Sequence, residues 1–221
     1  MSFKKNKYTI IRQAISKDLA TFVANYFSMQ KQVYDTCRQT RYISPYETLI
    51  GYYESENEQI PNTYSCYSDI AMETLLLKCQ PVMEKTTGLK LYPAYTYARI
   101  YKKGDELKRH KDRSSCEIST TLNLGGDSWP IYLEPNTNVG IPKEDNEFTF
   151  ESNNPGVKVD LEPGDMLVYS GCVLEHWREP FEGKMCAQVF LHYNNLETQG
   201  EENKFDGRSH LGLPSYCRGK K

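Results

Sequence analysis

His110 and Asp112 stand two residues apart between two strand-like segments, in the stretch YTYARIYKKGDELKRHKDRSSCEISTTLNLGG that runs from 95 to 126. On a strand, side chains i and i+2 point to the same face. Both groups can therefore reach one metal ion while Lys111 points away. His176 closes a later strand-like run, LEPGDMLVYSGCVLEHWREP, and would complete the set from across a sheet. Two imidazoles and one carboxylate on one side of an ion leave the other side open, which suits a non-haem Fe(II) ion that reacts with O2. A His-x-Asp pair alone is common. The turn, the buried strand and the histidine that follow downstream make this one specific. His192, inside a core-like strand, reads as a hydrogen-bonded structural imidazole, and His210 lies in a polar tail.

These groups need a scaffold of strands, and the chain supplies it after residue 88. Tyr95, Tyr97, Arg99 and Tyr101 alternate with Ala94, Thr96, Ala98 and Ile100, and 116–124 alternates in the same way. Gly125-Gly126 and Trp129-Pro130 mark a turn into a strand at 131–133. Glu162-Pro163-Gly164-Asp165 is a tight turn between a strand ending at Leu161 and one at 166–169. The last strand is 185–193. The stretch 135–155 reads as a loop with one hairpin at 148–150.

The first part of the chain is helical. A short strand at 8–12 precedes a helix capped by Ser16, with Leu19, Phe22, Val23, Tyr26 and Phe27 on one apolar face. Ser68 opens a second helix, with Met72, Leu75, Leu76 and Cys79 on one face, a kink or restart at Pro81 and a stop at Gly88. Between them, 40–63 is a polar, Tyr-rich loop able to fold over something. Two helices followed by about eight short strands predict an α+β fold, with helices packed on one side of a double antiparallel sheet.

Composition sets the bounds. With 221 residues, 38% hydrophobic and 12% aromatic content, including 17 tyrosines, the chain has enough apolar material for one domain with a real core. The expected division is a helical part over about 1–88, a strand core over about 89–195 and a tail over 196–221. A net charge of −2 gives no electrostatic footprint for duplex nucleic acid. Seven well-separated cysteines without a CxxC pair read as reduced thiols, not a disulfide framework or a zinc knuckle. No segment has the length of a membrane span or a secretory h-region, so a cytoplasmic protein without membrane partners is expected. Oligomeric state is not legible.

Over roughly 8–193, and specifically over 95–126 and 162–193, the chain resembles the Fe(II)/2-oxoglutarate-dependent dioxygenases, in particular the prolyl 4-hydroxylase branch. The resemblance implies a double-stranded β-helix, or jelly roll, with His110, Asp112 and His176 as iron ligands. Tyr101 matches the family tyrosine that hydrogen-bonds the co-substrate. The family also places a Lys or Arg past the distal histidine to pair the far carboxylate of 2-oxoglutarate. At the usual spacing of ten this chain has Cys186. Anchoring on the strand KMCAQVFLHY instead assigns the role to Lys184, sharing a face with Cys186 and Gln188. Arg178 is the competing partner and Arg99 a third. Trp177, Tyr95 and Tyr97 are candidates for lining the pocket.

The implied reaction uses Fe(II), 2-oxoglutarate and O2, with ascorbate as a candidate reductant. It hydroxylates an organic substrate, first a prolyl residue in a peptide or protein, with a free amino acid or other small metabolite as the alternative. Two rival classes remain: a non-oxidative cupin-like metal protein holding Zn or Ni, and a binding module that kept the fold. A nucleic-acid demethylase is the poorer fit to the acidic balance.

Overall fold

The computed structural model describes residues 3–56, 58–137, 154–199 and 201–219. In chain order the elements are α1 (Phe3–Asn6), β1 (Tyr8–Ile11), α2 (Lys17–Gln39), β2 (Tyr52–Tyr53), β3 (Tyr64–Tyr67) and α3 (Ile70–Thr87). There follow β4 (Leu91–Lys102), β5 (Leu107–His110), β6 (Ile118–Gly126), β7 (Ile131–Leu133), β8 (Val157–Val159), β9 (Met166–Ser170), β10 (His176–Arg178), β11 (Met185–Asn195) and α4 (Leu196–Gln199). The strands form a seven-stranded sheet, ordered β1-β9-β6-β11-β4-β3-β2, and a four-stranded sheet, ordered β5-β10-β7-β8. All the pairings are antiparallel.

Alternation along the long strands divides the residues between two layers. The outer face of the large sheet carries Leu122, Val168, Val189, Leu191 and Tyr193, which pack with Val23 and Phe27 of α2 and Met72, Leu76 and Met83 of α3. Burying side chains of this size contributes about 1.5 to 3 kcal/mol each, so this layer fixes the helices on one side of the sheet. The Tyr193 hydroxyl adds a hydrogen bond to the Leu76 carbonyl at 2.6 Å. The inner face carries Tyr95, Tyr97, Arg99 and Tyr101 of β4, in register with His192, Phe190, Gln188 and Cys186 of β11. The small sheet closes over one end of that face, where Ile131, Leu133, Val159 and Leu174 pack against Leu167 and Tyr169. The α+β jelly-roll class expected from the sequence is the one observed.

Several local expectations change. Ser16 caps α2 as expected, accepting from the Leu19 amide at 3.2 Å, but Phe22 is 68% exposed. The buried stripe runs through Ala20, Val23, Phe27 and Tyr34 instead, because helix rotation puts residue 22 about 100° away from residue 23. Asp69, not Ser68, caps α3 and accepts from the Met72 amide at 3.1 Å. Ser68 is drawn out of that role by a left-handed φ of 56° and by accepting a hydrogen bond from Arg208. Pro81 lies inside α3, which continues to Thr87 and ends at Gly88 with φ 74°. The described residues form eleven strands, where the periodicity shows about eight. The extra ones include β2, only two residues long and too short for any period to register. The hairpin expected at 148–150 falls outside the described residues.

Candidate metal centre

His110 ends β5 and His176 begins β10, and the two are directly paired across the small sheet. Their rings stand with centroids 4.2 Å apart. Each Nδ1 lies against a carbonyl two residues upstream in its own segment, Lys108 at 2.8 Å and Leu174 at 3.0 Å. An imidazole that donates from Nδ1 keeps the Nε2 lone pair for a metal, and the backbone bond fixes the ring. Both Nε2 atoms face one oxygen of Asp112, Oδ1, at 3.8 Å and 3.5 Å. The Asp112 amide donates to the Gly171 carbonyl at 2.9 Å. One ligand atom from each of the three residues lies within 4.8 Å of the others, close enough for a single ion with bonds of about 2.0–2.2 Å.

The electrostatics suit a cation. Burial, reinforced by His176, lowers the His110 pKa to about 4, which keeps its lone pair free at neutral pH. Burial works to raise the Asp112 carboxyl, yet the facing His176 and then His110 overcome it and hold the group below the usual carboxylate range. Asp112, Cys116 and His192 form a second close group. Burial pushes the Cys116 thiol far up, its sulfur lies 3.0 Å from the Tyr95 hydroxyl, and His192 Nδ1 is engaged with Ser119 at 3.0 Å. A protonated thiol is a poor ligand, so the first group is the better metal site. The fourth histidine, His210, is exposed in the tail.

Deeper in the fold, Arg178 shares the inward face of β10 with His176 and is 1% exposed. Its guanidinium donates to Thr121 Oγ1 at 3.1 Å and to the Trp129 carbonyl, and it lies 4.9 Å from the Trp129 ring centroid. Its Nε has no hydrogen-bond partner, and neither does the equally buried hydroxyl of Tyr101. Burial lowers the Arg178 pKa, the sign of a charge without adequate compensation. Among the described residues no carboxylate forms a salt bridge with it. A buried guanidinium without a salt bridge and a buried hydroxyl without a hydrogen bond are groups whose remaining donors an anion would satisfy.

Lys184 does not reach these groups. It is exposed, and its backbone amide is tied to Asp127 Oδ2 at 2.6 Å. Alternation does put Cys186 and Gln188 on a common inner face, where they are hydrogen-bonded to each other at 3.1 Å. The pattern fails at Lys184 because β11 begins at Met185 and the chain has already left the sheet. Trp177 also departs from expectation. It points away from His176 and Arg178, stacks on Tyr132 with centroids 5.6 Å apart and carries the Arg109 guanidinium 3.5 Å over its ring. Tyr95 and Tyr97 do line the open cleft above the metal group, with Arg99, Tyr169 and Phe190.

Arg99 is already occupied. Glu54, from the loop between the helices, is 3% exposed and accepts from Arg99 Nε at 2.9 Å, from the Tyr97 hydroxyl at 2.8 Å and from Ser65 Oγ at 2.9 Å. Arg99 also reaches Gln59 at 2.9 Å, so the loop is pinned along the cleft, with Ile60 and Pro61 on its wall. The Tyr-rich composition gives no hint of this latch. Removing one partner of a buried ion pair typically costs about 3 to 5 kcal/mol. Glu54→Ala is expected to lower the thermal midpoint markedly and to open 50–62 to proteolysis, whereas Glu56→Ala, on the same loop but exposed, leaves both unchanged. Limited proteolysis beside a melting curve checks this.

No family model matches the sequence, and no curated protein matches it significantly. Solved structures do match in fold. A Pseudomonas putida prolyl-4-hydroxylase superposes with a TM-score of 0.53 at 15% identity, over 87% of this chain and 95% of that one. The non-haem α-ketoglutarate-dependent carbocyclase SnoK of nogalamycin biosynthesis gives 0.61 at 11% identity, over 96% and 92%. HygX from Streptomyces hygroscopicus, solved with nickel and 2-oxoglutarate bound, gives 0.55 at 14% identity, over 98% and 91%. The protein has the fold of these 2-oxoglutarate-dependent oxygenases. Among the described residues no helix is long and apolar enough to cross a membrane.

Proposed function

We propose that the protein is an Fe(II)- and 2-oxoglutarate-dependent oxygenase, with His110, Asp112 and His176 as the metal ligands and Arg178 with Tyr101 as the far-carboxylate receptor. The observation that carries the reading is the pairing of two sites on one inner face. A two-histidine, one-carboxylate group converges on one point, and a buried guanidinium on the strand of the distal histidine lacks an anion. A plain Zn or Ni protein requires the first and has no use for the second. Bound together, Fe(II) and 2-oxoglutarate supply the oxidising chemistry, in which O2 is consumed, 2-oxoglutarate leaves as succinate and CO2, and one oxygen atom goes to the substrate.

The chain's own residues act on the partners. The imidazoles of His110 and His176, each fixed in one tautomer by a backbone carbonyl, and the ionised Asp112 carboxylate would hold the ion. Arg178, Thr121 and Tyr101 orient a dicarboxylate and compensate the burial of its far end, in place of the Lys184 that spacing suggests. Small-sheet residues Ile131 and Leu133 keep that end of the barrel dry. The latch of Glu54 and Arg99 sets one wall of the substrate cleft.

For the substrate, we favour a prolyl residue in an extended peptide. The cleft is open, about 1270 Å³ in volume, and aromatic side chains on its wall, Tyr97 among them, suit proline rings in a polyproline conformation. The fold alone does not select a substrate: the similar structures range from a prolyl-4-hydroxylase to a carbocyclase. Succinate release is expected to be stimulated by proline-rich peptides, whose product mass rises by one oxygen atom. Stimulation by free amino acids or other small metabolites alone would replace the peptide assignment.

A further inference from the structure

The two oxygens of Asp112 meet different surroundings. Oδ1 faces both histidine Nε2 atoms, while Oδ2 accepts from Ser119 Oγ at 2.7 Å. Ser119 is fully buried on β6, in register with His192 of β11, whose Nδ1 lies 3.0 Å from the same Oγ. The serine has one proton. If it goes to the carboxylate, the hydroxyl's lone pair is free to accept from a protonated Nδ1, so the three groups satisfy one another in the order His192, Ser119, Asp112. The Cys116 carbonyl, 2.9 Å from Oγ, competes for the serine proton, but the carboxylate is closer and charged.

Two features hold the chain of groups rigid. The His192 ring stacks on Tyr95 with centroids 4.5 Å apart and 29° between planes, and that tyrosine stacks in turn on Tyr67 at 5.1 Å. On the other side stands Gly171. A Cβ there would lie 2.3 Å from Asp112 Oδ2 and 2.7 Å from Ser119 Oγ, so only a bare glycine backbone leaves these two oxygens their places beside each other.

We propose that Ser119 and His192 are positioning residues that reserve Asp112 Oδ2 for a protein hydrogen bond, so that the carboxylate gives a metal ion one oxygen and leaves the opposite positions for the co-substrate and O2. This rests on the metal-ligand reading above. A carboxylate released from Ser119 could turn both oxygens to the ion and fill a position that the reaction needs. Partners of this kind typically change metal affinity by about 10- to 100-fold when removed.

The test uses Co(II) in place of Fe(II), so that no turnover is involved, and records both the affinity and the visible absorption of the saturated protein. Ser119→Ala is expected to weaken Co(II) binding by about 10- to 100-fold and to alter the spectrum, Ser119→Thr to restore both, and His192→Phe to give a smaller change of the same kind. A merely structural role would lower the melting point of the metal-free variants and leave the saturated spectrum alone. If Ser119→Ala does not fold, the comparison of His192→Phe with His192→Gln, which keeps a donor, decides in its place. Parental affinity and spectrum in Ser119→Ala, or in His192→Phe where only that variant folds, overturn the proposal. Failure of the parent protein to bind Co(II) at all overturns the metal-site reading beneath it.

Discussion

His110→Ala, Asp112→Ala and His176→Ala are each expected to abolish tight Fe(II) binding and all 2-oxoglutarate turnover while the protein stays folded. Each substitution takes one ligand from a set of three for which the described residues offer no spare. The nearest alternative donors are compromised: the Cys116 thiol is held protonated by burial, and His192 Nδ1 is committed to Ser119. Stability should not suffer, because none of the three side chains belongs to the apolar layers that hold the sheets and helices together. His192→Gln and His210→Ala, by contrast, are expected to retain stoichiometric iron. Equilibrium binding with circular dichroism on the same samples reads both halves, and an Asp112→Ala protein that binds iron and makes succinate at the parental rate would refute the ligand assignment.

Arg178→Ala is expected to weaken 2-oxoglutarate binding by about two to four orders of magnitude, the equivalent of the roughly 3 to 5 kcal/mol lost when a buried carboxylate loses its partner. Fe(II) or Co(II) affinity should change little, since Arg178 contacts Thr121 and Trp129 and no metal ligand. Lys184→Ala, on an exposed side chain, should leave both affinities as they are. Tyr101→Phe removes a single hydrogen bond from the same receptor and should cost about tenfold. Calorimetric titration of metal-loaded, oxygen-free protein separates the three. A large loss in Lys184→Ala with none in Arg178→Ala would return the co-substrate site to the end of β11.

Which features were legible follows from how local their causes are. The nearness of His110 and Asp112 was legible in their two-residue spacing, although β5 ends at His110 and Asp112 is set beyond the strand by its amide bond to the Gly171 carbonyl; His176 was legible as a candidate in its place after a turn and an apolar strand. The helices α2 and α3 were visible in their caps and stripes. The buried side of α2, however, was misplaced at Phe22, since the stripe is wider than the contact that the sheet offers. The choice between Lys184 and Arg178 turns on where β11 begins and which cation is enclosed by the second sheet, and neither is encoded near those residues. Alternation already put Arg178 on the face of His176, so the signal was present but its burial was not. Glu54 could not be singled out, because its importance comes from Arg99, Tyr97 and Ser65, all distant in sequence. Ser119 likewise looked like one more small polar residue on a strand.

The most direct test of the account is an anaerobic titration of the protein with Fe(II) and then 2-oxoglutarate, followed by admission of O2 and quantification of succinate. The account predicts one Fe(II) per chain, 2-oxoglutarate binding that depends on the iron and on Arg178, and succinate formed only after O2 is admitted. Iron bound without any affinity for 2-oxoglutarate, and no succinate after O2, would contradict it and leave a metal-binding protein that shares only the fold.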